Sequence, residues 1–450
     1  MRAADGSEPL PADLEEDALR LLVELLRIDT TNPPGNERPA AELCAARLRA
    51  DGLAPVLLES APGRANLVCR WKGTGEERPL LLTAHLDVVE AKEGWSRDPF
   101  AGEIHEGFVW GRGALDMKHH AAMCVTVMRA LARAGKRLRR DVILALVADE
   151  EAGCDLGSTW LVENHPDLVR AEYALGEIGC FTLHIEGRRF YPIQVAQKGV
   201  LWIRARTKGE PGHGSMPRED SAVGELAKAI ARLSRRPLPV HATAATTAFL
   251  RTVSGAVGGV KGRVLRALGS PRLAPTILRA IPDRSLARSL RAVLSNTANP
   301  TVLRAGDKIN VIPAEAEAHI DGRSLPGEAG AKIVDELRAV LGPKVEIAVL
   351  REARALEFPF DTPMYEALAA AVRRADPEGI PVPYMIPGFT DALAFSLLGT
   401  TWYGFAPVGL PPGLPFAELF HGRDERIPID GFRFGLRLLH DAVRSFCAPT

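Results

Sequence analysis

The sequence predicts an α/β fold interrupted by a smaller α+β segment, and three observations carry that expectation. Short apolar runs of strand character, at 56–58, 66–71, 80–89 and 142–148, alternate with stretches of helical periodicity. Alternation of this kind builds a sheet with helices on both faces. The pattern breaks from about Gln194 to Leu350 and resumes at Asp361. The 450 residues, 46% of them hydrophobic, suffice for two or three domains or for one with a large insertion.

Taken in order, Leu14, Ala18, Leu21, Leu22, Leu25 and Leu26 recur at helical spacing, and the Thr-Thr-Asn-Pro-Pro-Gly run at 30–35 ends that helix. A second helix runs from about Pro39 to near Gly52. Ala121, Cys124, Val125, Met128, Leu131 and Ala132 share one face of a third, which stops at Gly135. The middle of the chain reads as a strand, a helix over 221–233, a long irregular basic stretch, paired strands and a helix over 329–341. After Asp361 come a helix over 364–374, a second over 391–398, a strand at 402–405 and a last helix from Gly431. The domain boundaries expected are 1–194 and 357–450 for the two parts of the α/β domain, with 195–356 inserted.

Lysine plus arginine equals aspartate plus glutamate, at 56 each, which argues against a nucleic-acid partner. The six cysteines are scattered without a paired motif, so a disulfide framework is not expected. The first 30 residues lack a basic start followed by an apolar core, and no apolar run approaches the roughly 18 residues of a membrane span. A cytoplasmic globular protein is the expectation.

The chemistry concentrates in a few places. The run 142–148 leads straight into Asp149, Glu150 and Glu151, three carboxylates that repel one another unless something cationic neutralises them. His85 and Asp87 form a His-x-Asp pair at the end of another apolar run, and Asp87 is expected to accept a hydrogen bond from His85 and fix its tautomer. Asp116 follows two glycines at a helix start, Glu177 ends the run AEYALGE, and His421 follows the strand-like WYGFAP. Singly, each has a plain structural reading: Asp116 as an N-cap, His85 as a packed histidine, the three acids as an exposed loop. Together they line the carboxyl ends of strands, where α/β sheets bind ligands. Two histidines with three carboxylates suit zinc, manganese or cobalt. Five ligands exceed one tetrahedral ion and fit two ions that share a bridging carboxylate and a bridging water.

The order His-x-Asp, GRGALDMK, Asp-Glu-Glu, an isolated Glu and a late His resembles the co-catalytic zinc aminoacylase and carboxypeptidase family, which includes acetylornithine deacetylase, succinyl-diaminopimelate desuccinylase, aminoacylase and glutamate carboxypeptidase. The match spans about 14–446. It implies a mixed-sheet metallopeptidase catalytic domain with an inserted α+β lid and dimerisation domain. It implies two zinc ions, with cobalt or manganese as substitutes. Asp116 resembles the bridging carboxylate, His85 and Glu177 the rest of one site, and Glu151 with His421 the rest of the other. Glu150 resembles the general base that activates the bridging water, and Asp87 the acid that orients a ligand. The Asp-Glu-Glu segment is expected to turn as it leaves its strand, so that both glutamates reach the site.

Within PGHGSMP, His213 resembles a histidine that reaches the partner subunit's active site, which implies a homodimer formed through the lid. Asn310 in KINVIP resembles a residue of the substrate pocket, and Arg323 in HIDGRSLPG the arginine that grips a substrate carboxylate. Thr390 and Asp391, in PGFTDALA, resemble a pocket-lining segment. The implied substrates are N-acyl amino acids or dipeptides, and the alternative is a biosynthetic deacylase or desuccinylase. Gly322 stands where the family usually has an aliphatic residue, and the lid is lengthened. A lengthened lid resembles the carboxypeptidase and N-fatty-acyl amino acid hydrolase branch more than acetylornithine deacetylase. The lengthening, 258–304, holds nine lysines and arginines against one acid, Asp283. It reads either as a solvated helical face or as a contact surface for anionic lipid or amphiphilic substrate.

Overall fold

Four parallel strands lie side by side at the centre of the main sheet, in the order Arg140–Val147, Glu77–His85, Tyr173–Gly176 and Thr401–Gly404. The computed structural model describes residues 9–328 and 330–449, the side chain of Ser285 apart. Strands paired on both edges and covered on both faces read as continuous apolar runs, as 142–147 does. Antiparallel strands Arg64–Trp71 and Val56–Ala61 extend the sheet on one side, and Arg188–Gln197 on the other. The fold is a mixed α/β fold with a mixed sheet, as expected.

The helices form where periodicity placed them. Ala12–Leu26 buries Leu14, Ala18, Leu21, Leu22, Leu25 and Leu26. Lys118–Ala134 is buried over most of its length and ends on Gly135, whose φ of 62° is the left-handed C-terminal conformation glycine adopts readily. The last helix, Ile429–Cys447, buries Phe432, Leu436, Leu439 and Val443. It lies so close to its neighbour that a Cβ on Gly435 would come within 1.7 Å of the Pro407 carbonyl oxygen.

The chain falls into two compact units. One comprises the described part of Met1–Val195 with Phe358–Val382 and Thr390–Thr450, and the other Ala196–Glu357 with Pro383–Phe389. The second unit holds a four-stranded antiparallel sheet, in the order Thr297–Ala305, Glu315–Ser324, Gly199–Lys208, Glu346–Ala353. Its strands alternate buried and open positions, the mark of a sheet packed on one face. Leu201, Ile203, Ala318 and Ile320 pack there against Leu226 and Leu233 of the helix Ala222–Arg235 and Ile333 and Leu337 of the helix Gly330–Leu341. Ala329, expected to open that last helix, lies outside the described residues. A Cβ on Gly322 would stand 2.6 Å from the Leu201 carbonyl oxygen, which accounts for glycine in that strand.

One expectation is corrected here. The stretch read as irregular is helical: Ala244–Val257, Gly259–Ala267, Ala274–Ala280 and Arg284–Leu294 close around Val240, Leu250, Leu268, Ala274, Leu278 and Leu294. Gly258, Gly259, Pro271, Pro275 and Pro282 cut the pattern into helices too short to display a repeating period.

Candidate metal centre

The parallel strands deliver the acids to one place. His85 is the last residue of its strand and sits opposite Val147, the last residue of the next. Beyond Val147 the backbone turns at Asp149, with φ of 68°, into a 3-10 turn over Glu150–Ala152. Glu177 directly follows Tyr173–Gly176, and Ile178 after it has φ of 55°; His421 has φ of 54°. Such conformations cost on the order of 1–3 kcal/mol each in non-glycine residues and persist where the surroundings enforce them.

Only two of the three consecutive acids enter the cluster. The Asp149 carboxylate accepts from Arg64 (2.9 Å), Asn32 (3.0 Å) and the backbone N–H of Leu156 (2.9 Å), and Arg64 also grips Glu37 at 2.7 and 2.8 Å. Asp87 pins the turn itself, accepting from the backbone N–H groups of Glu150 (3.2 Å) and Glu151 (3.1 Å) and from Asn32 (2.9 Å). The expected bond between the His85 ring and the Asp87 carboxylate takes another form. His85 Nδ1 donates to the Asp87 main-chain carbonyl at 3.0 Å, with the carboxylate at 3.5 Å. The strand ends at His85, so residues 85 and 87 do not share a strand face.

Asp116 joins the two histidines. One oxygen lies 3.1 Å from His85 Nε2 and the other 3.1 Å from His421 Nε2. His85 Nε2 is 3.8 Å from Glu177, and His421 Nε2 is 3.2 Å from Glu151. Asp116 is not a helix cap, because the helix begins at Lys118 with Met117 in the cap position. Instead its backbone N–H donates to Glu425.

Burial, with the charge of Glu177, pushes the Glu150 carboxyl well above the ordinary range. Burial likewise raises Glu151, and brings Glu177 up to about 7 against the pull of His85. Hydrogen bonds to Asp116 and Glu151 raise His421 to about 10. His85 is raised despite its burial, by Asp116, Asp87 and Glu177. These are the shifts of the protein charges alone.

The residues fit a pair of cations. A carbonyl only accepts, so His85 Nδ1 carries a hydrogen, and with the ring neutral the Nε2 lone pair faces Asp116 and Glu177. That arrangement is repulsive unless a proton or a metal ion stands between them. Glu151 Oε1 and Glu177 Oε1 are buried without a hydrogen-bond partner among the described residues, at a cost of roughly 1–3 kcal/mol or more each. Two atoms about 2.1 Å from one tetrahedral ion stand about 3.4 Å apart, and the separations above bracket that value. Ligating atoms of His85, Glu150 and Glu177, and of His85, Asp116 and Glu151, lie within 4.8 Å of one another. The second grouping draws Glu151 toward His85, but the closer approach of Glu151 is to His421.

Thr390 and Asp391 belong to the same unit as this cluster. Thr390 is buried and its hydroxyl accepts from the Ala392 N–H, while Asp391 accepts from Ser158 at 2.5 Å. Burial raises the Asp391 carboxyl to about 6. The other expected residues belong to the second unit. A two-residue strand pair sets Gly212–His213 against Val311–Ile312, beside Asn310, whose carbonyl accepts the Gly214 N–H at 2.9 Å. His213 and Asn310 are exposed, and Arg323 forms an ion pair with Asp321 at 2.9 Å.

Three supporting residues escaped the sequence reading. They are Arg64, Glu425 and Lys118, whose buried ammonium donates to the carbonyls of Leu25 (3.0 Å) and Ile28 (2.7 Å) and is pulled down to about 8 by burial. Lys118 sits inside the quoted GRGALDMK, and that embedded lysine was the available signal; Arg64 and Glu425 had none.

Residues 81–445 match the family described as peptidase family M20/M25/M40. The chain is similar to the probable carboxypeptidase S-like 2 of Dictyostelium discoideum, at 27% identity over 82% of this chain and 72% of that one. It is 28% identical to the mouse (Mus musculus) N-fatty-acyl-amino acid synthase/hydrolase PM20D1, over 82% of this chain and 74% of the relative. It is also 28% identical to the aminoacylase-1 of Pongo abelii, over 92% and 91%. Among solved structures, the M20 family metallo-carboxypeptidase Sso-CP2 of Sulfolobus solfataricus shares the fold, with a TM-score of 0.70, 18% identity and coverage of 96% and 99%.

Proposed function

The chain belongs to peptidase family M20/M25/M40, and from that membership we propose that this hydrolase cleaves the amide bond of N-acyl amino acids or dipeptides at a centre of two zinc ions. The observation that carries the reading is the convergence of His85, Asp116, Glu151, Glu177 and His421 around one point, with Glu150 beside them and two buried glutamate oxygens unpartnered.

Asp116 would bridge the ions, with His85 and Glu177 on one and Glu151 and His421 on the other. When bound, the pair would lower the pKa of a shared water toward neutrality and polarise the scissile carbonyl. Glu150 takes the proton from the attacking water and hands it to the departing amine nitrogen. Its burial favours the protonated form, which suits the second half of that task. Asp87 holds the Glu150 and Glu151 backbone in place.

The second unit serves as lid and dimerisation domain in this reading. His213 polarises the substrate oxygen in a partner subunit, Asn310 and Thr390 are substrate-binding residues, and Arg323 exchanges Asp321 for a substrate carboxylate. The relatives above favour acyl-amino-acid and peptide substrates over those of a biosynthetic deacylase. All six cysteines are free and buried, which supports a reducing, cytoplasmic setting. Among the described residues no helix is long and apolar enough to cross a membrane.

The test is a screen of N-acyl amino acids and dipeptides with zinc-loaded protein, read by amine release, on wild type and Glu150→Gln. Release from this substrate class is expected, with turnover reduced by several orders of magnitude in the variant and metal content retained. Near-normal turnover in Glu150→Gln would remove the assignment.

A further inference from the structure

The helices between Ala244 and Leu294 carry a surface that the proposed reaction does not use. They close on their own small apolar core, and on Gly259–Ala267 that core takes Leu265 while Gly262 lies against the Ser254 carbonyl. At 100° per residue, Val260 and Val264 then point away from the core with Arg263 beside them. Val260 is 65% and Val264 46% exposed, and Leu273 and Leu286 are exposed on the neighbouring segments. Aliphatic side chains are turned outward while the inward face is already filled.

Cations share these segments. Arg263, Arg266, Arg272, Arg279, Arg284 and Arg288 are exposed, and none forms an ion pair with another described residue. Burial and the charge of Arg279 together depress the Arg291 guanidinium, so like charges face one another across two helices. Arginines on a solvated face normally have acids interspersed, and here Asp283 is the single acid from 258 to 304. Outward aliphatic groups interspersed along one segment with unpaired arginines match an interface where acyl chains lie below anionic headgroups. Nucleic acid or an acidic peptide would account for the arginines but leave the valines and leucines without a role.

We propose that the helical segment 258–291 docks on an anionic lipid bilayer, with Val260, Val264, Leu273 and Leu286 entering the headgroup boundary and the exposed arginines of the same segment meeting lipid phosphates. The docking is peripheral and does not depend on the assignment of the metal centre.

The experiment is co-sedimentation of the full chain with phosphatidylcholine vesicles, with and without phosphatidylglycerol, at low and high salt. Binding is expected to the phosphatidylglycerol vesicles alone and to weaken as salt rises. Arg263→Gln with Arg266→Gln should lower the partition coefficient about 25-fold, about fivefold per cation, and Val260→Ser with Val264→Ser should lower it further. Both pairs are exposed, so amide hydrolysis of a short N-acetyl amino acid should be unchanged. Equal binding to both vesicle types, or equal binding to soluble polyglutamate, would overturn the proposal. So would concentration-dependent self-association that the valine pair abolishes, because a second copy would then cover the face. The wild-type comparison between vesicle types decides the matter even if a variant misfolds.

Discussion

Glu425 accepts the backbone N–H of Asp116 at 3.1 Å and that of Leu115 at 2.6 Å, while its second oxygen meets Arg112 at 2.6 Å and the Gly113 N–H at 3.2 Å. One buried carboxylate therefore shapes the whole loop that presents Asp116 to both histidines. Glu425→Ala would leave three backbone donors and the Arg112 charge buried without this acceptor. A loss of about 3–5 kcal/mol in stability is expected, with metal affinity reduced about 10–100-fold, as for other groups that orient a ligand. Competition with a chelator measures the second effect, and unchanged affinity would show that the loop does not need Glu425.

The Arg64 guanidinium, buried between Glu37 and Asp149, fixes the residue from which the turn carrying Glu150 and Glu151 departs. Arg64→Met removes the cation and leaves two buried carboxylates facing each other. Denaturant unfolding should show a destabilisation of about 3–5 kcal/mol. Replacing Asp149 by Asn in the same background should recover part of it, because one of the two stranded charges disappears.

Lys198 gives a pH dependence confined to the second unit. Its ammonium donates to the carbonyls of Ala292 (3.0 Å) and Ser295 (2.8 Å) and to Thr297 (3.0 Å), yet burial, with the charge of Arg323, brings its pKa down to about 7. The folded value is below the unfolded one. Between about pH 7 and the ordinary lysine range the unfolded chain binds more protons, so stability rises with pH there. The slope should reach at most about 1.4 kcal/mol per pH unit. Below pH 7 the contribution is constant. Lys198→Met should flatten the rise in urea unfolding of this unit, and an unaltered slope would show that Lys198 does not titrate in this window.

What the sequence made legible is the part that repeats locally. His85 ends an apolar strand, Glu177 and the Glu150–Glu151 turn follow two others, and a strand's carboxyl end is where α/β sheets gather ligands. The turn after Val147 was readable because two adjacent glutamates cannot both face one point from an extended chain. The Asp87 geometry was misjudged because the strand stops at His85, two residues before Asp87 and four before the end of its apolar run. The helices over 244–294 were hidden by the glycines and prolines that separate them. Glu425 and Arg64 were out of reach for another reason: their partners lie 310 and 85 residues away, and pairing at that separation leaves no local pattern.

The shared two-ion centre is tested most directly by counting. Chelator-stripped protein titrated with zinc should take up two ions per chain, and His421→Ala should lower the tightly held number to one. Uptake of fewer than one ion per chain, or two ions held equally well without His421, would contradict a centre built on His85, Asp116, Glu151, Glu177 and His421.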